Sequence, residues 1–153
     1  MNNSLNFNTG EVFLSINGDE TKQIHFNPHD LGFIIRFDNA SKEAEKMSKK
    51  YIEMQKQAKV VDEKKNNSAM ALKIAKESDK EARKIINDLM GYECDYLIFG
   101  NINPLSTTSN GKSILQNFVE ALASYMQTEN EKDLESDKDK IEEYKQAYDR
   151  LSS

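Results

Sequence analysis

The tripeptide Gly111-Lys112-Ser113, directly ahead of an apolar-periodic run, ends like a phosphate-binding loop, in which backbone N–H groups cradle phosphates and the lysine meets their charge. Such a loop needs a glycine five residues before Gly111, and Ser106 stands there. The sequence also lacks the parallel sheet that would hold it, so Gly111 is read as closing a loop and Ser113 as standing near a helix start. His25 and His29 are four apart, but the Asn27-Pro28 break between them places one on a strand and the other on a helix. They could approach Asp19 or Asp30, yet two imidazoles without a third ligand make a poor metal site, and both are read as surface residues. Cys94 is the single cysteine, which excludes an intrachain disulfide and a Cys-rich metal site and fits a reduced compartment. No Ser, Cys or carboxylate stands at a recognisable spacing from a partner base, and two histidines leave little general acid–base repertoire. The expectation is a protein without catalytic, metal-binding or cofactor-binding residues.

The elements that would position these residues follow from patterning. Val12, Leu14 and Ile16 alternate before Asn17-Gly18, and Ile24 and Phe26 alternate after it. Asn-Gly accepts the positive φ values of a type I′ turn, so a β-hairpin with one apolar face is expected. Two strands alone are marginal in water, and that face must pack on a helix or another copy. Asn27 reads as an N-cap with Pro28 as first helical residue and Asp30 in the first turn, presenting Leu31, Ile34, Ile35 and Phe37 to the hairpin. Asp38-Asn39-Ala40-Ser41 either interrupts or bends that helix.

Two heptad seams follow, one of Ala44, Met47, Tyr51, Met54, Ala58 and Val61, the other of Ala71, Ala75, Ser78, Ala82, Ile85 and Leu89. Asn66-Asn67-Ser68 between them favours a helical hairpin, while the absence of Gly and Pro leaves one long helix open. Seams so rich in alanine bury little area, and self-association through them is expected. Gly91 reads as a helix stop. Tyr92 to Phe99 is a continuous apolar run that suits either a short helix or a buried strand. After a loop from Gly100 to Gly111, Leu115, Phe118, Leu122 and Tyr125 share one helical face with Val119 and Met126 beside it. Leu134, Ile141, Tyr144, Tyr148 and Leu151 form a thin stripe on a highly charged end.

Composition agrees with extended helices. Of 153 residues, 31% are charged and 37% hydrophobic, with six glycines, two prolines and no tryptophan; mean hydropathy is -0.77. The net charge of -5 hides a basic middle: residues 41–90 carry thirteen basic and nine acidic groups, and residues 91–153 carry six and twelve. Lys and Glu interleave there at helical spacing with no aromatic stacking motif, which suits a solvated helix surface and not nucleic acid. The N-terminal residues lack a signal-peptide pattern and no window reaches about 18 apolar residues, so neither secretion nor a membrane span is expected. The fold class expected is α+β, mainly α: an N-terminal β-hairpin, then a helical bundle of long amphipathic helices, then a charged C-terminal helix. One domain over residues 1–130 and a charged helical extension over 131–153 are expected.

Phe26-Asn27-Pro28 with Asp30, then Phe33 and Arg36-Phe37, then Phe99-Gly100, then the Phe118 to Tyr125 stretch resemble, in that order, the tail assembly chaperones of Gram-positive phages and prophages. The likeness covers residues 5–130. It implies a non-enzymatic cytoplasmic protein that coats the tape-measure protein and helps recruit tail-tube subunits, as a homo-oligomer without nucleic acid or membrane partners. The Ser/Thr-rich loop before Gly111 and the long acidic C-terminal helix depart from the family pattern. Partner contacts are expected at Phe33, Phe37, Leu97, Phe99, Phe118, Leu122 and Tyr125. The alternative expectation is a structural tail or baseplate component assembling through the hairpin edge and the seams.

Overall fold

Asn17 and Gly18 take φ of 50° and 77°, which turns the chain between β1 (Val12–Ile16) and β2 (Asp19–Phe26). The strands pair antiparallel, with Val12 opposite Phe26 and Leu14 opposite Ile24, and the register slips between Ser15 and Ile16. Alternation puts Ile24 and Phe26 in the interior and leaves Phe13 65% exposed. Among the described residues four helices complete a mainly α chain with this hairpin at its start: α1 (Leu31–Lys65), α2 (Ser68–Met90), α3 (Asp95–Phe99) and α4 (Ile114–Ser152). The computed structural model describes residues 3–65 and 68–152, and the side chains of residues 3–57, 69–132, 142, 145–147, 149 and 150.

The cap of α1 is Asp30, not Asn27. Asp30 accepts from the Gly32 and Phe33 amides, each at 3.1 Å, and the Ile34 amide donates to its carbonyl. Asn27 instead closes the preceding turn by accepting from the His29 amide, with Pro28 fully buried beside it. The shifted start changes which residues face inward. Phe33 is buried and stacks on Phe26 at 5.1 Å, whereas Leu31 and Ile35, expected against the hairpin, are 74% and 63% exposed. Asp38 to Ser41 neither breaks nor ends the helix, and Ala40 and Ala44 are both buried.

α2 packs back along α1, so the helical stretches 41–65 and 68–90 form a helical hairpin and not one long helix. Arg36 Nε donates to the Leu89 carbonyl at one end of the contact, and Met47 and Tyr51 lie beside Ser78 and Glu81 further along. The two alanine seams therefore face each other: each supplies the partner helix that was expected from a second chain. Ala58 and Val61 fall outside the described side chains. On α2 the buried line is Ile74, Ser78, Ala82, Ile86 and Leu89, so Ile74 and Ile86 take the inward places expected of Ala75 and Ile85, which lie half-buried beside them.

Gly91, at φ 83°, ends α2, and the Tyr92 to Phe99 run is a short helix over Asp95–Phe99, α3, and not a strand. Ser113 caps α4, its Oγ accepting from the Gln116 amide at 3.1 Å. Along α4 the buried line is Leu115, Val119, Leu122 and Met126, which turns Phe118 and Tyr125 to its flank. The helix continues through residue 130 without a break, and the stripe expected from Leu134 to Leu151 falls on side chains outside those described.

Burial at α2 gives a direct check. Ile86→Ala should lower unfolding free energy by about 2–5 kcal/mol, whereas Leu31→Ala should change it by less than about 0.5 kcal/mol. Denaturant titration of both variants distinguishes this inward face from one built on Leu31.

Candidate functional site

A buried cation organises the molecule's centre. Arg83 lies four residues after Asp79 on α2, and its Nε donates to both Asp79 carboxylate oxygens at 3.1 Å. One terminal nitrogen reaches Asp95 at 3.2 Å; the other donates to the carbonyls of Gly100 and Ile102 at 2.8 and 3.0 Å. Tyr96 covers the guanidinium at 4.9 Å. One turn along α2, Asn87 donates to Asp95 and accepts from the Cys94 and Asp95 amides. Burial opposes charge on Arg83 and Asp95 alike, yet their hydrogen bonds outweigh it: the Asp95 carboxyl is held below the ordinary carboxylate range and Arg83 above its own. The spacing Asp79, Arg83, Asn87 at successive fours is visible in the sequence, but its partners arrive from a different segment.

This clamp fixes α3, and α3 forms one wall of an apolar groove of about 320 Å³. Leu14 and Ile16 of β1 form a second wall, and Phe118, Ala121, Leu122 and Tyr125 of α4 a third. Among the described residues no charged side chain lines it, in a chain of which 31% is charged. The volume lies at the lower end of the roughly 300–1,000 Å³ that binding clefts occupy. Phe99 and Phe118 meet edge to face at 6.0 Å, and Tyr125 meets Phe26 at 5.8 Å. Burial, then Glu129, raises the Tyr125 phenol above its ordinary value, so its ring is neutral at physiological pH.

The expected partner-contact residues therefore divide. Phe99, Phe118, Leu122 and Tyr125 come together at the groove, Phe118 and Tyr125 half-buried and Phe99 and Leu122 forming its floor at 4% exposure. Phe33 lies in the interior at 2% exposure, which leaves it no surface for a partner in this arrangement. Phe37 and Leu97 pack half-buried against the core outside the groove. Leu14 and Ile16, expected only on a hairpin face that packs on a helix or another copy, also line the groove, as does Ile98 beside Phe99.

The Gly111-Lys112-Ser113 turn is closed on itself. The Gly111 and Lys112 amides donate to Thr108 and Asn110, the Ile114 and Leu115 amides to the Ser106 and Pro104 carbonyls, and Lys112 Nζ pairs with Glu120 at 2.9 Å. Four amides around the turn, those of Gly111, Lys112, Ile114 and Leu115, are therefore engaged within the chain. His25 Nδ1 meets Glu11 at 2.9 Å and its ring stacks on Tyr92 at 4.3 Å. Among the described residues no group of three or more His, Cys, Asp or Glu is placed to hold a metal ion. Burial, then the neighbouring Asp95, pushes the Cys94 thiol up to about 11, which makes it a structural side chain and a poor nucleophile. No helix among the described residues is long and apolar enough to cross a membrane. Comparison with protein-family models, with curated proteins and with solved structures returned no match.

Two expectations follow. Asp95 has a lowered folded pKa, so its contribution is present above its unfolded value near 3.9 and is lost as pH falls through the folded value. Asp95→Asn should destabilise the protein at pH 7, and its deficit against the unsubstituted chain should shrink as pH falls below about 4, read from urea midpoints across pH. Separately, Lys112→Ala should leave ATP and GTP titrations as flat as those of the unsubstituted protein; a nucleotide affinity that disappears with Lys112 would contradict the closed-turn geometry.

Proposed function

We propose that this protein is a non-enzymatic tail assembly chaperone of the kind found in Gram-positive phages and prophages. In this reading it holds an apolar segment of the tape-measure protein in the groove between the hairpin, α3 and α4, and helps recruit tail-tube subunits in the host cytoplasm. The observation that carries the binding role is that groove, an uncharged cleft flanked by half-buried aromatic rings on an otherwise highly charged surface. The residues that carry the family likeness support this reading, since Phe99 on the groove floor and Phe118, Leu122 and Tyr125 of α4 are among those that line it. The acidic balance of residues 91–153, with twelve acidic and six basic residues, would keep a complex with an apolar client dispersed.

The open outer edge of β1 favours a second reading, a structural tail or baseplate component that assembles edge to edge. Purified tail particles discriminate: a chaperone is absent from them and a structural component present.

Phe118 is the informative position because its ring borders the groove while Phe99 forms the floor. Co-expressed with the tape-measure protein, Phe118→Ala should cost about 0.5–1.5 kcal/mol of stability yet weaken client capture by on the order of 30-fold, the equivalent of a 2 kcal/mol hot spot. Phe99→Ala should instead lower stability by about 3–5 kcal/mol. Full client capture by a folded Phe118→Ala protein would sink the groove as the client site.

A further inference from the structure

We infer that the groove, when no client fills it, receives residues 4–8 from the N-terminal arm of a second copy of this chain, added as a strand to the open edge of β1. This goes beyond client binding and rests on the geometry of the hairpin and the arm alone.

The hairpin's two edges differ. On β2 the His25 amide points away from β1 and donates to the Tyr92 hydroxyl, so that edge is engaged at His25. His25 is opposite Phe13, and in an antiparallel pair opposed residues turn their amides the same way, inward or outward together. Phe13 and, two residues on, Ser15 therefore aim N–H and C=O groups outward on the β1 side. Among the described residues, no other strand joins the sheet and no hydrogen bond satisfies those groups. An uncovered edge of this kind is a template for a further strand.

The arm has the pattern such a strand requires. Ser4-Leu5-Asn6-Phe7-Asn8 alternates polar and apolar, and Leu5 and Phe7 are 87% and 71% exposed. Extended, the two side chains would share one face about 6.8 Å apart, the spacing of Leu14 and Ile16 on the groove wall. Charge agrees as well: residues 1–10 carry no charged side chain, and neither does the groove lining, in a chain that is 31% charged. The arm is anchored at its base, where Asn27 Nδ2 donates to the Thr9 carbonyl, and beyond that point it leaves its own groove unfilled. Reciprocal exchange closes a two-fold dimer, and one-way exchange extends a chain of copies.

Sedimentation velocity of the full chain at about 100 µM, ample for a weak homodimer, tests the inference with two variants. Leu5→Asp/Phe7→Asp removes the donor, and Ala121→Arg blocks the acceptor at an exposed groove position. Neither touches the interior, and unchanged melting temperatures check that both remain folded. The unsubstituted protein should sediment as a dimer or larger and each variant as a monomer. An equimolar mixture of the two variants should form a heterodimer, because one retains the groove and the other the arm. A monomeric unsubstituted protein, association that survives in either variant, or a mixture that stays monomeric would overturn the inference.

Discussion

Arg83 is the constraint on which the remaining structure depends. A guanidinium at 9% exposure has lost most of its water, and an unpaired charge in that position would be severely destabilising. It is compensated by two carboxylates and two backbone carbonyls, all from residues that must be in place together. Removing one partner of such a pair costs about 3–5 kcal/mol, a large part of the stability of a small domain. The consequence is structural: a five-residue helix such as α3 has no stability alone. Arg83 and Asn87 hold it at both its start and its end, which places Ile98 and Phe99 where the groove needs a wall.

The sparse apolar inventory is used in layers. Alanine at Ala40, Ala44 and Ala82 lets α1 and α2 approach closely, so a seam with few large side chains still closes within one chain. The larger residues Phe26, Phe33, Ile86, Leu89, Leu115 and Leu122 are reserved for the interior where the hairpin and α4 meet that helical pair. Ser48 and Ser113 join there by a buried hydroxyl contact at 3.2 Å, which ties the start of α4 to α1. What remains unfilled is the volume under β1, bordered by Phe118 and Tyr125 on the flank of α4.

Local rules made much of this legible. Asn17-Gly18 specified the hairpin, Gly91 the end of α2 and Ser113 the start of α4, because each acts through its own backbone or a neighbour within three or four residues. Asn27 misled because Asn-Pro and Asp30 are both helix-start signals, and the carboxylate, reaching two amides, outcompetes the amide side chain. That displacement moved the inward face from Leu31 and Ile35 to Phe33. On α2 the choice between Ile85 and Ile86 is one step of 100° and depends on where α1 lies, which periodicity does not report. The Arg83 clamp was invisible for a related reason: Asp95, Gly100 and Ile102 lie 12 to 19 residues away and across a turn. Of the groove's lining, Phe118, Leu122 and Tyr125 were legible as one helical face and Phe99 as part of an apolar run, while Leu14 and Ile16 were not, since half-buried strand residues look the same whether or not a cleft lies beneath them.

The central claim is that apolar protein segments are received in the cleft between β1, α3 and α4. Methyl NMR of the full chain, titrated with an apolar peptide from the tape-measure protein, tests it residue by residue. The methyl signals of Leu14, Ile16, Ile98 and Leu122 should shift together along one binding curve, while those of Leu72 and Ile74 on α2 stay in place. Shifts confined to the α1–α2 pair, with the four groove residues unmoved at saturation, would contradict it.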